Sequence, residues 1–349
     1  MPTAAAPGGC PWRGPSPPWG GHPNGRRILR ARARTGSFPL MPPEELPWKD
    51  PPGGPSWSCS GAGPLAPSAP RRRRRCSRLG CRLTTNHSRY EAADAVLMYH
   101  RDVCCQPQLL PPGPRPRSQL WVWFNMDPPS RSGHLASLDH LFNLTMSFRR
   151  DSDIFAPFGW LRVLRRPQNF TIPPKSKLAA TVSSHWPAGS RPAKYLEQLR
   201  RHLPVDTYGH PERVLPARQL LATLSRYRFY LAFESSAHQD YLTRQLWRNA
   251  LLAGAVPVVL GPPRENYERH LPPESFIHVD DFPAAHQLAQ FLQEVARDPA
   301  RYRRYFRWRT WLEPQVEKSW AARLCKACRV LREKGETFQP APDLSRWFT

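Results

Sequence analysis

The chain has 349 residues, 43 of them proline, and 51 Lys and Arg against 27 Asp and Glu give a formal net charge of +24. That much proline excludes a helical bundle or coiled coil as the whole molecule, while 40% hydrophobic and 11% aromatic content excludes a chain disordered throughout. The length suits two domains of ordinary size, and the positive charge points to an anionic partner: a nucleic acid, an anionic membrane or a phosphate-bearing small molecule.

Residues 1–80 hold 17 of the prolines and 13 basic residues against three acids, a composition that buries too little apolar surface to order itself. Arg13–Pro18 and Gly61–Pro70 read as solvated linker, and the five arginines Arg71–Arg75 as a solvated run, because no aromatic or groove-reading element accompanies them. Residues 1–75 are therefore expected to form a disordered Pro/Arg-rich tail. Met1–Gly25 lacks the apolar centre of a signal peptide. The longest apolar stretch, Leu251–Gly261, is too short to span a bilayer and contains Pro257.

From about Cys76 the texture changes. Ala92–Tyr99, Leu120–Asn125, Tyr227–Phe233, Val256–Leu260 and Phe276–Val279 are short apolar runs bounded by turn residues, the pattern of buried strands. Tyr195–His202, Thr243–Gly254, Ala284–Arg297 and Ala300–Arg309 read as amphipathic helices between them. Strand and helix in alternation predict a doubly wound α/β architecture, in which ligands sit at the carboxyl ends of the strands, often against a helix N-terminus.

Eight cysteines fall at positions 10, 59, 76, 81, 104, 105, 325 and 328. Cys76 and Cys81 with Cys325 and Cys328 have the outline of a zinc site, but the spacing of the first pair is loose and no His is close in sequence. The alternative is a set of disulfides, which requires an oxidising compartment. Asn86-His-Ser, Asn143-Leu-Thr and Asn169-Phe-Thr are N-glycosylation sequons, which favour the secretory lumen.

The segment Phe233-Glu-Ser-Ser-Ala-His-Gln-Asp-Tyr-Leu-Thr-Arg-Gln-Leu-Trp-Arg-Asn-Ala-Leu251 leaves a strand, turns through small polar residues and enters a helix whose exposed N–H groups form an anion site. It resembles the Lewis-type α1,3-fucosyltransferases, whose hallmark reads FENS-x-H-x-DYITEKLWRNAL followed by a VPVVLGP strand. The resemblance runs from about Cys76 to Thr349 and includes Trp121-Val-Trp, Arg149-Arg-Asp-Ser-Asp-Ile154, Ser319-Trp320 and Cys325-x-x-Cys328. It implies a GT-B fold, two Rossmann-like α/β domains facing a cleft: an acceptor domain over 76–170 and a GDP-fucose domain over 171–349, with a C-terminal segment returning to the first. It further implies transfer of fucose, with inversion, to the 3-OH of N-acetylglucosamine in N-acetyllactosamine glycans. The donor would be GDP-fucose without a catalytic metal, in the Golgi lumen with membrane association. Family members carry a cytosolic tail, an anchor and a stem where residues 1–75 stand here.

The resemblance carries roles to individual positions. The general base is a Glu in W-x-W-x-N-x-E-S-P, and Asp127 stands there, one methylene shorter; on residue type alone it reads as a turn aspartate. Ser184, Arg191, Glu234, Ser235, Tyr241, Arg244 and Gln245 form the expected donor-contacting set. Within it Ser235 replaces an Asn, Arg244 a Glu and Gln245 the Lys that resembles the diphosphate contact. The upstream phosphate-binding Arg is displaced to Arg191, with Pro192 in its column. Trp247, Arg248 and Asn249 match the family and serve equally well as a packed helix body. Asp151-Ser-Asp153 looks like a DxD metal motif but is expected to be a hydrogen-bonded turn. Arg101, where α1,4-transferring members resemble this segment with Trp, points to acceptor contact and α1,3 transfer. By the same resemblance Cys76 and Cys81 link to Cys325 and Cys328. The donor-site substitutions motivate a second reading, a catalytically impaired homologue that keeps the fold and weak nucleotide or glycan binding. A nucleic-acid-binding protein would rest on the arginine-rich tail alone.

Overall fold

The structure, a computed structural model, describes residues 57–59, 81–84, 86–104, 110–111, 114–182, 186–187, 189–209, 215–317, 319–334, 341 and 343–349. The arginine run Arg71–Arg75, Cys76 and Ser184 lie outside the described residues.

The first unit is a five-stranded sheet. Strands β2 (Ala95–Tyr99), β3 (Leu120–Asn125), β4 (Leu144–Ser147) and β5 (Ile154–Phe155) run parallel in that order, and β1 (Trp57–Cys59) adds antiparallel to β2. Strand β1 lies within residues 1–75. A three-residue edge strand is ordered by its partner, and composition averaged over 75 residues cannot register it. Strand β3 is buried on both faces, as the unbroken Trp-Val-Trp-Phe run requires of a covered parallel strand. Trp123 is fully buried, its ring edge-on to Trp347 and Phe348 from the far end of the chain. Leu324 and Ala327 of the helix Trp320–Lys334 join the same core, and a Cys81–Cys328 disulfide ties that helix to the start of the unit.

The second unit is a fully parallel sheet of β7 (Lys177–Val182), β8 (Val205–Tyr208), β9 (Tyr227–Phe233), β10 (Val256–Leu260) and β11 (Ile277–His278), in the order β11-β10-β9-β7-β8. Helices Arg191–Arg200 and Ala285–Arg297 cover one face through Leu196, Leu199, Leu288 and Leu292. Ala217–Leu224 and Gln245–Leu252 cover the other through Leu220, Leu224, Leu246 and Trp247. The strand order reverses between β7 and β9, so the crevice beyond their carboxyl ends is the topological switch point where ligands bind in such sheets.

Strands β9 and β10 have the bounds expected from their apolar runs. The strands β7 and β8 were not expected: Leu-Ala-Ala-Thr and Val-Asp-Thr-Tyr present small or polar residues, and only packing under neighbouring helices makes them strands. The expected helix Thr243–Gly254 is a π-helix over Gln245–Leu252, with a wide Ala255 N–H to Ala250 C=O turn of 3.0 Å at its end. Such helices are rare and concentrate at functional sites. An antiparallel ribbon of β6 (Gly159–Val163) and β12 (Leu312–Val316) packs on it. Among the described residues, no helix is long and apolar enough to cross a membrane.

Candidate active site

Asp127 sits just beyond the carboxyl end of β3, and Asn125 builds its turn. The Asn125 amide oxygen accepts the Asp127 N–H at 3.0 Å, its NH2 donates to Ser132 Oγ at 2.8 Å, and that hydroxyl donates to Pro128 C=O at 3.0 Å. Asp127 is 7% exposed. Its Oδ2 accepts from Tyr99 OH at 2.9 Å and from Arg101 Nε at 2.6 Å, and its Oδ1 accepts from Arg101 Nη2 at 2.6 Å. Tyr99 ends β2, whose register sets it beside Phe124 of β3, so the parallel pairing delivers the hydroxyl to the carboxylate. Beside them His100 is neutral at ordinary pH, because burial pushes its imidazole down to about 4, and its Nδ1 accepts from Trp123 Nε1 at 3.3 Å.

The turn carrying Asp127 abuts the polar turn after β9. Ser130 Oγ and Ser236 Oγ are 2.6 Å apart, and Ser130 N–H meets His238 Nε2 at 3.3 Å. Arg131 Nη2 donates to Ser235 Oγ at 3.1 Å and to Tyr241 OH at 2.9 Å. Tyr241, expected at the donor, is buried against Phe148 and Phe158 and belongs to the core of the first unit, leaving its hydroxyl at the junction. Asp240 accepts Arg150 N–H at 3.0 Å and is held by Asn266 and His270. Burial opposes its ionisation, but these hydrogen bonds hold its carboxyl well below the usual range. Sequence reasoning missed Ser130, Arg131 and Asp240. The Asp of the hallmark DY pair was a usable signal, whereas nothing local marks Arg131.

At the switch point Glu234 is buried, and burial pushes its carboxyl up to about 8. Its Oε1 accepts Thr243 N–H at 2.7 Å, two residues before the π-helix, so it fixes the start of that helix. Gln245 turns inward: Nε2 donates to Val182 C=O at 2.8 Å, while Oε1 accepts from Tyr230 OH and from Asn249 Nδ2, the latter at 3.1 Å. Its amide thus joins the π-helix to the end of β7 and is consumed within the fold. That geometry departs from the expected donor contact, since both ends of the amide are already satisfied. Arg244 is half-buried at the N-cap of the π-helix. Arg191 is paired with Asp280. Trp247 is fully packed, Asn249 donates to Tyr230 OH at 3.0 Å, and Arg248 reaches Ala217 C=O at 3.5 Å, so the first two serve the helix body.

Asp153 accepts Thr145 N–H and Oγ1, both at 2.9 Å, and Asp151 is paired with Arg149, so this segment is the expected hydrogen-bonded turn. Among the described residues no group of three or more His, Cys, Asp or Glu is placed to hold a metal ion. Cys325 is disulfide-bonded as well as Cys328. Asn86 and Asn169 are exposed. Asn143 is buried, unlike the other two sequon asparagines, and its Oδ1 accepts from Trp121 N–H at 2.8 Å and from Arg115.

Two units built on parallel strands give the chain its GT-B architecture, with a fixed carboxylate on one and a helix start at the switch point of the other. The family model described as glycosyltransferase family 10 (fucosyltransferase), C-terminal part, matches residues 172–347, and the fucosyltransferase N-terminal model matches residues 48–159. The chain belongs to glycosyltransferase family 10, the fucosyltransferases. It is 48% identical over 286 residues to the 3-galactosyl-N-acetylglucosaminide 4-alpha-L-fucosyltransferases FUT3 of Pan troglodytes and Homo sapiens, covering 79% of this chain and 76% and 78% of those relatives. The 4-galactosyl-N-acetylglucosaminide 3-alpha-L-fucosyltransferase FUT5 of Gorilla gorilla gorilla is 49% identical over 287 residues, covering 79% of this chain and 75% of the relative. A crystal structure of an alpha1,3-fucosyltransferase with GDP matches at 15% identity and a TM-score of 0.45, covering 69% of this chain and 78% of that one. Another with GDP-fucose matches at 16% identity and 0.42, covering 60% and 77%.

Proposed function

We propose that this chain transfers L-fucose from GDP-fucose to the 3-OH of N-acetylglucosamine in N-acetyllactosamine-type glycans of glycoproteins and glycolipids. Asp127 accepts the hydroxyl proton as that oxygen attacks the anomeric carbon, GDP departs from the opposite side, and configuration inverts. The observation that carries this reading is the clamped Asp127 carboxylate on one unit, facing the Ser235–Tyr241 turn of the other. Aspartate is shorter than the family's glutamate, and a misplacement of about 1 Å can cost about 100-fold. Tyr99 and Arg101 offset this by fixing the carboxylate in one orientation. Arg101 in place of Trp supports α1,3 over α1,4 transfer.

Residues 171–349 form the donor unit in this reading and 76–170 the acceptor unit, with the C-terminal segment packed back on the latter. Work in the Golgi lumen, at its membrane, is supported by the Cys81–Cys328 disulfide and the exposed sequons at Asn86 and Asn169, all of which suit an oxidising secretory compartment.

The test is fucose transfer to N-acetyllactosamine by the full chain beside a variant carrying S235N, R244E and Q245K. Turnover within about tenfold of that variant supports an active enzyme. Transfer by the restored variant alone supports the second reading, an intact scaffold with an impaired donor site.

A further inference from the structure

The diphosphate of a nucleoside diphosphate sugar is anionic, and a cation that meets it stabilises the charge that grows as the sugar departs. The positions from which the family resemblance would supply one are compromised in this chain. Gln245 is neutral and its amide is spent on Val182, Tyr230 and Asn249. The Arg191 side chain is engaged by Asp280. Arg131, in contrast, projects from the 3-10 turn Pro129–Arg131 of the opposite unit, and among the described residues its guanidinium meets hydroxyl groups across the junction, at Ser235 and Tyr241. Among the described residues no carboxylate pairs with it, and it is exposed rather than packed.

We propose that Arg131 is the residue that meets the diphosphate of the donor, delivered from the acceptor unit. This deepens the donor reading above and rests on it. The guanidinium sits over the turn that begins at Ser235 and leads through Tyr241 into the π-helix, and its remaining N–H groups are available for a bidentate hold on phosphate oxygens. Because the charge comes from the first unit and the rest of the site from the second, donor binding draws the two together. Arg131 and Asp127 share one eight-residue turn, closed by Asn125 and Ser132. The phosphate contact and the base are therefore positioned by the same backbone.

The experiment is calorimetric titration of the full-length protein with GDP and, separately, with GMP, for the natural chain and for R131A, R131K, R244A and S130A. S130A removes a junction hydrogen bond without touching charge and controls for a purely structural clamp. The expected result is that R131A weakens GDP about 10- to 100-fold and GMP much less, that R131K recovers part of the loss, and that S130A leaves GDP affinity within about threefold. Equal GDP affinity for R131A and the natural chain overturns the assignment, as does a loss confined to R244A or one that S130A reproduces. Failure of the natural chain to bind GDP overturns the donor reading itself, an outcome distinct from the others.

Discussion

Arg101 and Asp127 form a bidentate pair in which Nε and Nη2 each approach a different carboxylate oxygen at 2.6 Å. The residue expected to read the acceptor is thus tied to the one expected to deprotonate it. The Tyr99 hydroxyl completes the clamp on the carboxylate at 2.9 Å.

Replacing Asp127 by Asn keeps the size of the side chain and removes its ability to take a proton. Fucose transfer should fall by about 10²–10⁴, with circular dichroism and GDP affinity unchanged. Retained transfer would show that the base lies elsewhere.

Arg101→Met keeps much of the stem and removes the fork. Arg101 is 47% exposed on its side chain but Asp127 only 9%, so removing the guanidinium leaves a buried carboxylate held by Tyr99 alone and lowers the melting temperature. Loss of orientation at the carboxylate should also lower kcat by about 10-fold or more, measured at a temperature where both proteins are fully folded. A fall in melting temperature without a change in kcat would contradict this role.

Glu234 makes stability depend on pH. Burial raises its carboxyl from 4.5 to about 8 in the folded protein, so between those values the folded state binds the proton and the unfolded state does not. This contribution is complete below the ordinary value and is lost as pH rises through about 8. Thermal melts from pH 5 to pH 8 should show a decline that Glu234→Gln flattens, since the amide is neutral throughout. An unchanged slope in the variant would count against a protonated Glu234.

Gly159 lets the β6–β12 ribbon lie directly on the π-helix. A Cβ there would strike Trp247 Cγ and sit 2.6 Å from Gln315 C=O. Gly159→Ala should cost about 1–3 kcal/mol or more, read as a lower denaturant midpoint. An unaffected midpoint would mean the ribbon can lift away freely.

The Cys81–Cys328 disulfide closes a sequence separation of 247 residues. Cys328→Ser should destabilise the protein by about 2–5 kcal/mol and loosen the helix Trp320–Lys334 from the first core, measurable as faster amide exchange over 320–334. Unaltered exchange there would mean that Leu324 and Ala327 hold the helix without the bond.

Local order along the chain was enough to establish the α/β class, the strands Leu120–Asn125, Tyr227–Phe233 and Val256–Leu260, and the membership carried by the Phe233–Leu251 hallmark. Continuous apolar runs and motif spacing are short-range properties that survive in the sequence as written. Burial and cross-unit contact are not. The Asn143 sequon is a valid triplet, yet its side chain is buried and its amide oxygen is held by β3 and Arg115. Lys177–Val182 carries no strong strand signal and is ordered by its place between β8 and β9. Gln245 occupies a family lysine position and is turned inward by Tyr230, Asn249 and Val182. Arg101 reaches Asp127 from 26 residues away and Arg131 reaches Tyr241 from 110. Side chains that far apart become neighbours only when two sheets are built and set against each other. The sequence determined which groups were available to the site, and the packing of its two units decided which of them meet.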